Sequence, residues 1–597
     1  MTFSINLSSL DGSNGFRLDG VATNDRSGSS VSTAGDVNGD GFDDLIVGAH
    51  QADPNGTNSG SSYVMFGKAS GFSAAMDLSS LDGSNGFRLD GVTASDRLGI
   101  SVSNAGDVNG DGFDDVIVGA NGAGRDSGSS YVVFGQASGF SATMNLSSLN
   151  GSNGFRLNGV AGDFSGGSVR TAGDVNGDGF TDLIVGAQLA DPNGVNSGSS
   201  YVVFGKASGF SATMNLSTLN GSNGFRLDGE TADDASGHSV STAGDVNGDG
   251  FTDLIIGADS ADPNGLSSGS SYVVFGQASG FSAAMNLSTL NGINGFRLDG
   301  EAAYDHSGRS VSTAGDVNGD GFDDLIIGAY RADPNGNRDA GSSYIVFGKA
   351  SGFSATMDLS NLNGNDGFRL DGVAAFDRPG QSVSTAGDVN GDGFDDLIVG
   401  AYGADPHGSS SGSSYIIFGR IDFGSWLPEI LGTAGDDILK GTSAAEHFMA
   451  GDGNDKLFGL GGADSFDGGA GNDKTQVADL SFAFVDGGAG IDVLHLAGTG
   501  LNLNLADSGD RINDIEIIAL DSQGDRNTLT LTAADLLNLS TTTNTLKVNG
   551  NVGGHIIVED SGWIDGGNRG GGYYHKYTQG DAVLLVGQNL TVDFVAV

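Results

Sequence analysis

Six times the chain reads Gly-Asp-Val-Asn-Gly-Asp-Gly-Phe, then Asp or Thr, then Asp. Counted from the first Asp, positions 1, 3, 5 and 9 of every copy carry side-chain oxygen. They are Asp36, Asn38, Asp40 and Asp44, then Asp107, Asn109, Asp111 and Asp115, then Asp174, Asn176, Asp178 and Asp182. The later copies place Asp245, Asn247, Asp249 and Asp253, then Asp316, Asn318, Asp320 and Asp324, then Asp388, Asn390, Asp392 and Asp396. Three carboxylates within nine residues repel one another unless a cation lies among them. An oxygen-only set suits Ca2+, which takes six to eight hard ligands in a flexible cage. The position 7 carbonyl, at Phe42 in the first copy, adds another oxygen, and Gly39 and Gly41 let the chain wrap tightly. Position 8 alternates between Asp43 and residues such as Thr181 and Thr252, whereas position 9 is always Asp, so position 8 reads as exposed filler. An EF-hand needs an acidic residue at position 12, and Val47 stands there.

These loops need a scaffold that repeats with them. The first Asp of each copy lies 67 to 72 residues from the next, and two further phrases keep step. One is GFRL, with its Phe at Phe16, Phe87, Phe155, Phe225, Phe296 and Phe368; the other is GSSY, ending at Tyr63 and its counterparts. Within one unit four short strands are expected, at 15–19, 30–34, 45–49 and 62–66. The third is a continuous apolar run, as in a strand buried on both faces. Four strands per unit of about 70 residues, repeated radially, predict a β-propeller. The chain opens on GFRLD and the sixth unit ends on SYIIFG, so the first strand is expected to complete the last blade. That favours six blades over seven. Over residues 1–421 the sequence resembles the FG-GAP repeats of integrin α-subunit heads and related bacterial proteins. The resemblance implies a calcium-binding propeller with ligands at the loop positions named above. The chain departs from the pattern at Ser27-Gly28 and at Gly48-Ala49-His50.

After a linker at 422–431 the period falls to nine, in blocks such as AGDGNDKLF (450–458) and GGAGNDKTQ (468–476). Residues 432–495 resemble the nonapeptide repeats of RTX proteins, which implies a short parallel β-roll with calcium in its glycine-rich turns. The resemblance makes Asp437, Asp455, Asp464, Asp473 and Asp492 side-chain ligands, and Glu446 holds that place in a degenerate block left out of the set. Residues 496–597 carry no repeat and are expected to form a β-rich C-terminal domain. Their apolar end, AVLLVGQNLTVDFVAV, resembles the uncleaved type I secretion signal of RTX proteins. The N-terminus has neither the basic start nor the apolar core of a cleaved signal peptide.

The fold class is thus all-β: propeller, short parallel β-roll and β-rich tail. With 26 Lys+Arg against 74 Asp+Glu, the net charge of −48 disfavours nucleic acid and anionic lipid as partners and favours cations. The absence of Cys excludes disulfides and thiolate metal sites. No run approaches the ~20 apolar residues of a membrane-spanning helix. No catalytic constellation stands out: the eight His residues do not recur from unit to unit and read as solvated loop residues. The Arg of GFRL recurs and is expected to pair with nearby carboxylates. Together these features describe a secreted bacterial calcium-binding protein, not an enzyme, acting in adhesion, matrix or surface-layer assembly. Glycans or surface proteins are the expected ligands, alongside calcium-dependent self-association. The competing readings are a propeller lectin and a secreted phosphoesterase-like hydrolase.

Overall fold

A computed structural model describes residues 16–595, except 70–71, 138, 279, 392, 407–410, 421–428, 509–510, 522–525 and 541–542. Asp392, His407 and most of the linker therefore lie outside the described residues. The contacts divide the chain into two compact units, Met1–Gly424 and Ser425–Val597.

The first unit is a six-bladed β-propeller. In the second blade the antiparallel strands are Ser101–Gly106, Asp115–Ala120, Ser129–Val133 and Gly154–Asn158. Asp115–Ala120 is buried at every residue, as its unbroken apolar run requires. The four expected strands of a unit form but are shared between two blades: each later GFRL strand is the outer antiparallel strand of the preceding blade. Phe155 pairs with Val132 and Arg156 with Tyr131. The sequence reading also missed a fifth strand, Thr213–Asn215, which lies parallel to Gly154–Asn158.

Blades stack through apolar clusters such as Ile46, Val64 and Phe87 against Val102, Val116 and Tyr131. Their approach is close enough to demand glycine: a Cβ on Gly119 would stand 2.1 Å from the Gly166 carbonyl oxygen of the next unit.

The expected closing pair is not formed. Arg17–Asp19 pairs in parallel with Ala75–Asp77, and the sixth sheet holds three strands: Pro379–Gly387, Asp396–Ala401 and Ser413–Ile417. The end blades are correspondingly bare. Val31 is 62% exposed where Val102 is 3%, and Tyr415 is 43% exposed where Tyr131 is 1%.

The second unit is a stack of short parallel strands. Ile438–Lys440, Lys456–Phe458, Lys474–Val477 and Val493–Leu496 pair in sequence, with Ile438 opposite Lys456 and Lys456 opposite Lys474. The opposite sheet carries His447–Met449, Ser465–Asp467 and Phe484–Asp486. The expected domain break after residue 495 falls inside this stack. Ile517–Leu520, Thr545–Gly550 and Ala582–Gly587 extend the first sheet, and one apolar cluster runs from Leu439 to Val586. The rungs continue because the apolar alternation persists after the glycine-rich period is lost. Of the apolar C-terminal stretch, Ala582–Gly587 lies between two strands, whereas Thr591–Phe594 is the end strand of the opposite sheet, paired with His555–Val558.

Candidate calcium-binding site

The Asp loop joins the first two strands of each blade, and the fourth loop shows its construction. The Asp245 carboxylate accepts from the backbone N–H of Gly248 (2.8 Å), Asp249 (3.1 Å) and Gly250 (2.8 Å). Asn247 Oδ1 accepts from Asp249 N–H and Asp249 Oδ1 from Phe251 N–H. Positions 1, 3 and 5 thus knot the loop around its own amides. Among the described residues, no three carboxylate or imidazole side chains converge into a ready-made ion cage. Asp245 Oδ1 spends both lone pairs on these bonds, whereas Asp245 Oδ2, Asn247 Oδ1 and Asp249 Oδ1 each accept one and keep a second lone pair for a cation.

Position 9 lies beneath the loop. Asp44, Asp115, Asp182, Asp253, Asp324 and Asp396 are all fully buried. Asp253 accepts from Val246 N–H (3.1 Å) and from Gly276 N–H (2.9 Å), pinning the loop to the end of the third strand. Burial pushes Asp115, Asp182, Asp253 and Asp324 up to about 8, with the position 1 and 5 carboxylates adding to the rise.

Position 8 is not exposed filler. Asp114 Oδ2 accepts from Asp36 N–H at 2.9 Å, Asp323 Oδ2 from Asp245 N–H at 2.8 Å, and Thr252 Oγ1 from Asp174 N–H at 3.2 Å. Its side chain ties the second, fourth, fifth and sixth loops each to the one before, and Asp and Thr both serve because both supply an acceptor oxygen.

In the second unit the nonapeptide carboxylates form a ladder. Asp455 Oδ1 accepts from Asp437 N–H, Asp473 Oδ1 from Asp455 N–H, and Asp492 Oδ1 from Asp473 N–H, each at 2.7 Å. The second oxygens of Asp455, Asp473 and Asp492 are buried and meet no donor. Burial raises Asp473 to about 6 and Asp492 to about 7, and neighbouring carboxylates reinforce both shifts. Asp464 lies on the other side, where its Oδ1 accepts from Glu446 N–H at 2.9 Å. Glu446, left out of the expected ligand set, is also buried, 3% exposed, and its carboxylate accepts from Thr442 N–H. The ladder also takes in Glu516, whose Oε2 accepts from Asp492 N–H at 2.8 Å. No nonapeptide register marks Glu516 in the sequence, because 24 residues separate it from Asp492.

The Arg of GFRL pairs as expected, for example Arg88 with Asp90 at 2.8 Å and Arg297 with Asp299 at 2.7 Å. The His expectation fails at His238 and His306. Both are largely buried, and their Nδ1 atoms each lie 3.9 Å from the Asp259 carboxylate.

Comparison with known proteins agrees with this construction. The FG-GAP repeat model matches residues 27–65, 98–133, 165–203, 236–274, 307–346 and 379–417. The RTX calcium-binding nonapeptide repeat model matches 440–474. The chain therefore carries six FG-GAP repeats and an RTX calcium-binding nonapeptide segment. Its propeller is similar to chicken integrin alpha-V, 31% identical over 39% of this chain and 20% of the relative. It is 33% identical to mouse integrin alpha-IIb over 30% of this chain and 16% of the relative. Drosophila integrin alpha-PS2 is 37% identical over 22% of this chain and 9% of the relative. The chain thus spans a fifth or less of the length of these curated relatives. Both repeat types are calcium-binding modules, and neither is catalytic.

Proposed function

We propose that this is a secreted bacterial protein that folds on calcium outside the cell and serves there, or at the cell surface, in adhesion, matrix or surface-layer assembly. The observation that carries the reading is the trio of buried, donor-less carboxylate oxygens on Asp455, Asp473 and Asp492. A buried anionic oxygen without a partner is costly, and three stacked together are more so. A divalent cation between the rungs removes that cost. Calcium would be held there by the ladder carboxylates, with Asp437, Asp464 and Glu446 beside them. In the propeller it would be held by positions 1, 3, 5 and 9 of each loop, Asp392 included.

The second unit's strands are too short to be stable alone, so metal affinity becomes folding free energy. Extracellular calcium modules bind at roughly 10⁻⁴–10⁻³ M, which leaves such a chain unfolded where calcium is scarce and folded where it is plentiful. The RTX-like C-terminal stretch supports export by a type I route. Among the described residues no helix is long and apolar enough to cross a membrane.

Calcium titration by calorimetry, followed by circular dichroism in calcium and in EDTA, tests this. Several binding events and a gain of sheet signal on adding calcium are expected. A sheet signal and a melting curve in EDTA identical to those in calcium would overturn it.

A further inference from the structure

Units that repeat almost word for word differ at one end of their blades. The strand before each Asp loop begins, and the strand after it ends, at the end away from the loop. In the fifth blade the residues before Ser310 and after Ala329 therefore meet there. Just after the second strand the units carry His50, Asn121, Gln188, Asp259, Tyr330 and Tyr402 in turn. The residue before the Ser-Val of each first strand varies likewise, from Ser29 to Arg309 to Gln381. Duplicated units stay alike where fold and metal demand it, so this end is where they have been free to specialise.

In the fifth and sixth blades the changes are not scattered. The Arg309 guanidinium lies 5.7 Å from the Tyr330 ring centre and that of Arg331 lies 5.2 Å from it. Arg378 stands 5.7 Å from the Tyr402 ring centre and donates to its hydroxyl. Arg309 and Arg378 each reach a carboxylate, Asp259 at 3.5 Å and Asp339 at 3.2 Å. Arg331 is exposed and forms no ion pair among the described residues. Tyr402 leaves 48% of its surface to solvent. A chain with 74 acidic and 26 basic residues has thus set guanidinium groups and open aromatic faces side by side, at the end remote from its acidic loops.

We propose that this end of blades five and six binds an acidic polysaccharide. Arg331 takes its carboxylates through its planar fork, Arg378 holds Tyr402 in position through its hydroxyl, and the exposed ring of Tyr402 stacks on a sugar ring. A free guanidinium fork beside an exposed aromatic ring suits a pyranose bearing a carboxylate better than an acidic peptide, which offers charge without a flat apolar face. The inference names a ligand for the extracellular role proposed above, but its chemistry does not use calcium.

Calorimetry on the full chain at fixed calcium, with hyaluronan fragments as the probe and dextran and polyglutamate as controls, tests it. Hyaluronan should bind, dextran should not, and polyglutamate should bind at least tenfold more weakly. Arg331→Gln, Arg378→Gln and Tyr402→Ala should each weaken hyaluronan binding at least fivefold without moving the melting temperature or the calcium isotherm. Absence of hyaluronan binding with an intact calcium isotherm overturns this inference alone. Binding that ignores all three substitutions overturns it too, since the polymer would then be bridged by calcium at the acidic loops. Tighter binding of polyglutamate overturns it in favour of an acidic protein partner.

Discussion

Asp253 takes two backbone N–H groups while fully buried, and its counterparts do the same in every blade. Asp253→Asn keeps the shape but turns an amide donor toward one of those N–H groups. A cost of about 1–3 kcal/mol is expected, read as a lower urea midpoint in calcium. The same carboxyl gives a pH dependence. In calcium-free protein it is pushed up to about 8, first by burial and then by Asp249 and Asp245. The unfolded chain releases that proton near pH ~4. Between these values the folded state binds more protons, so this group's contribution is full at the acid end and is lost as pH rises toward 8. Calcium needs the deprotonated form, so its stabilising effect grows over the same interval. Melting in EDTA should therefore be lower at pH 8 than at pH 5, and the calcium-induced rise larger at pH 8. An EDTA melting temperature that is flat between the two would contradict it. Positions 1, 3, 5 and 9 were legible as recurrent oxygen-bearing side chains that build the loop, because six copies could be compared within one chain. The tie made by position 8 was not, because its partner sits 78 residues away in sequence, as for Asp36 and Asp114.

At the scale of elements, the strands were readable from apolar alternation and turn residues, but their grouping was not. A GFRL strand has the same local pattern whichever blade receives it, and only the hydrogen bonds of Phe155 and Arg156 to the preceding blade decide. The contact between blades gives a direct test. Gly119→Ala places a Cβ 2.1 Å from a backbone carbonyl oxygen, which cannot swing away. A loss of about 1–3 kcal/mol is expected, measured as a shift in denaturant midpoint. An unchanged midpoint would mean that adjacent blades slide freely. In the second unit Thr532 and Asp535 form a capping box at the head of the helix Ala533–Asn538. Thr532→Ala should cost about 1 kcal/mol, visible as faster hydrogen exchange in that helix.

At the scale of the molecule, the proposed dependence on calcium should differ between the two units. The propeller has apolar clusters between its blades, whereas the nonapeptide rungs stack carboxylates directly over one another. Removing calcium should therefore raise hydrogen exchange most in Lys456–Phe458, Lys474–Val477 and Val493–Leu496, with the interior propeller strands changing less. Equal loss of protection in both units would show that the propeller depends on the metal as heavily.

The Asp loops, their repetition and the nine-residue period were determined by sequence alone, since ligand spacing and strand alternation are local properties of the chain. Tertiary structure decided the rest: the blade that receives each GFRL strand, the lock made by position 8, and the places of Glu446 and Glu516 in the carboxylate ladder. It also carried the parallel stack past residue 495 and left Arg17–Asp19 paired with Ala75–Asp77 instead of with the sixth blade. Each of these depends on which distant segment supplies the partner for a backbone or carboxylate group. Near-identical repeats offer several equivalent partners, and only packing in three dimensions selects among them.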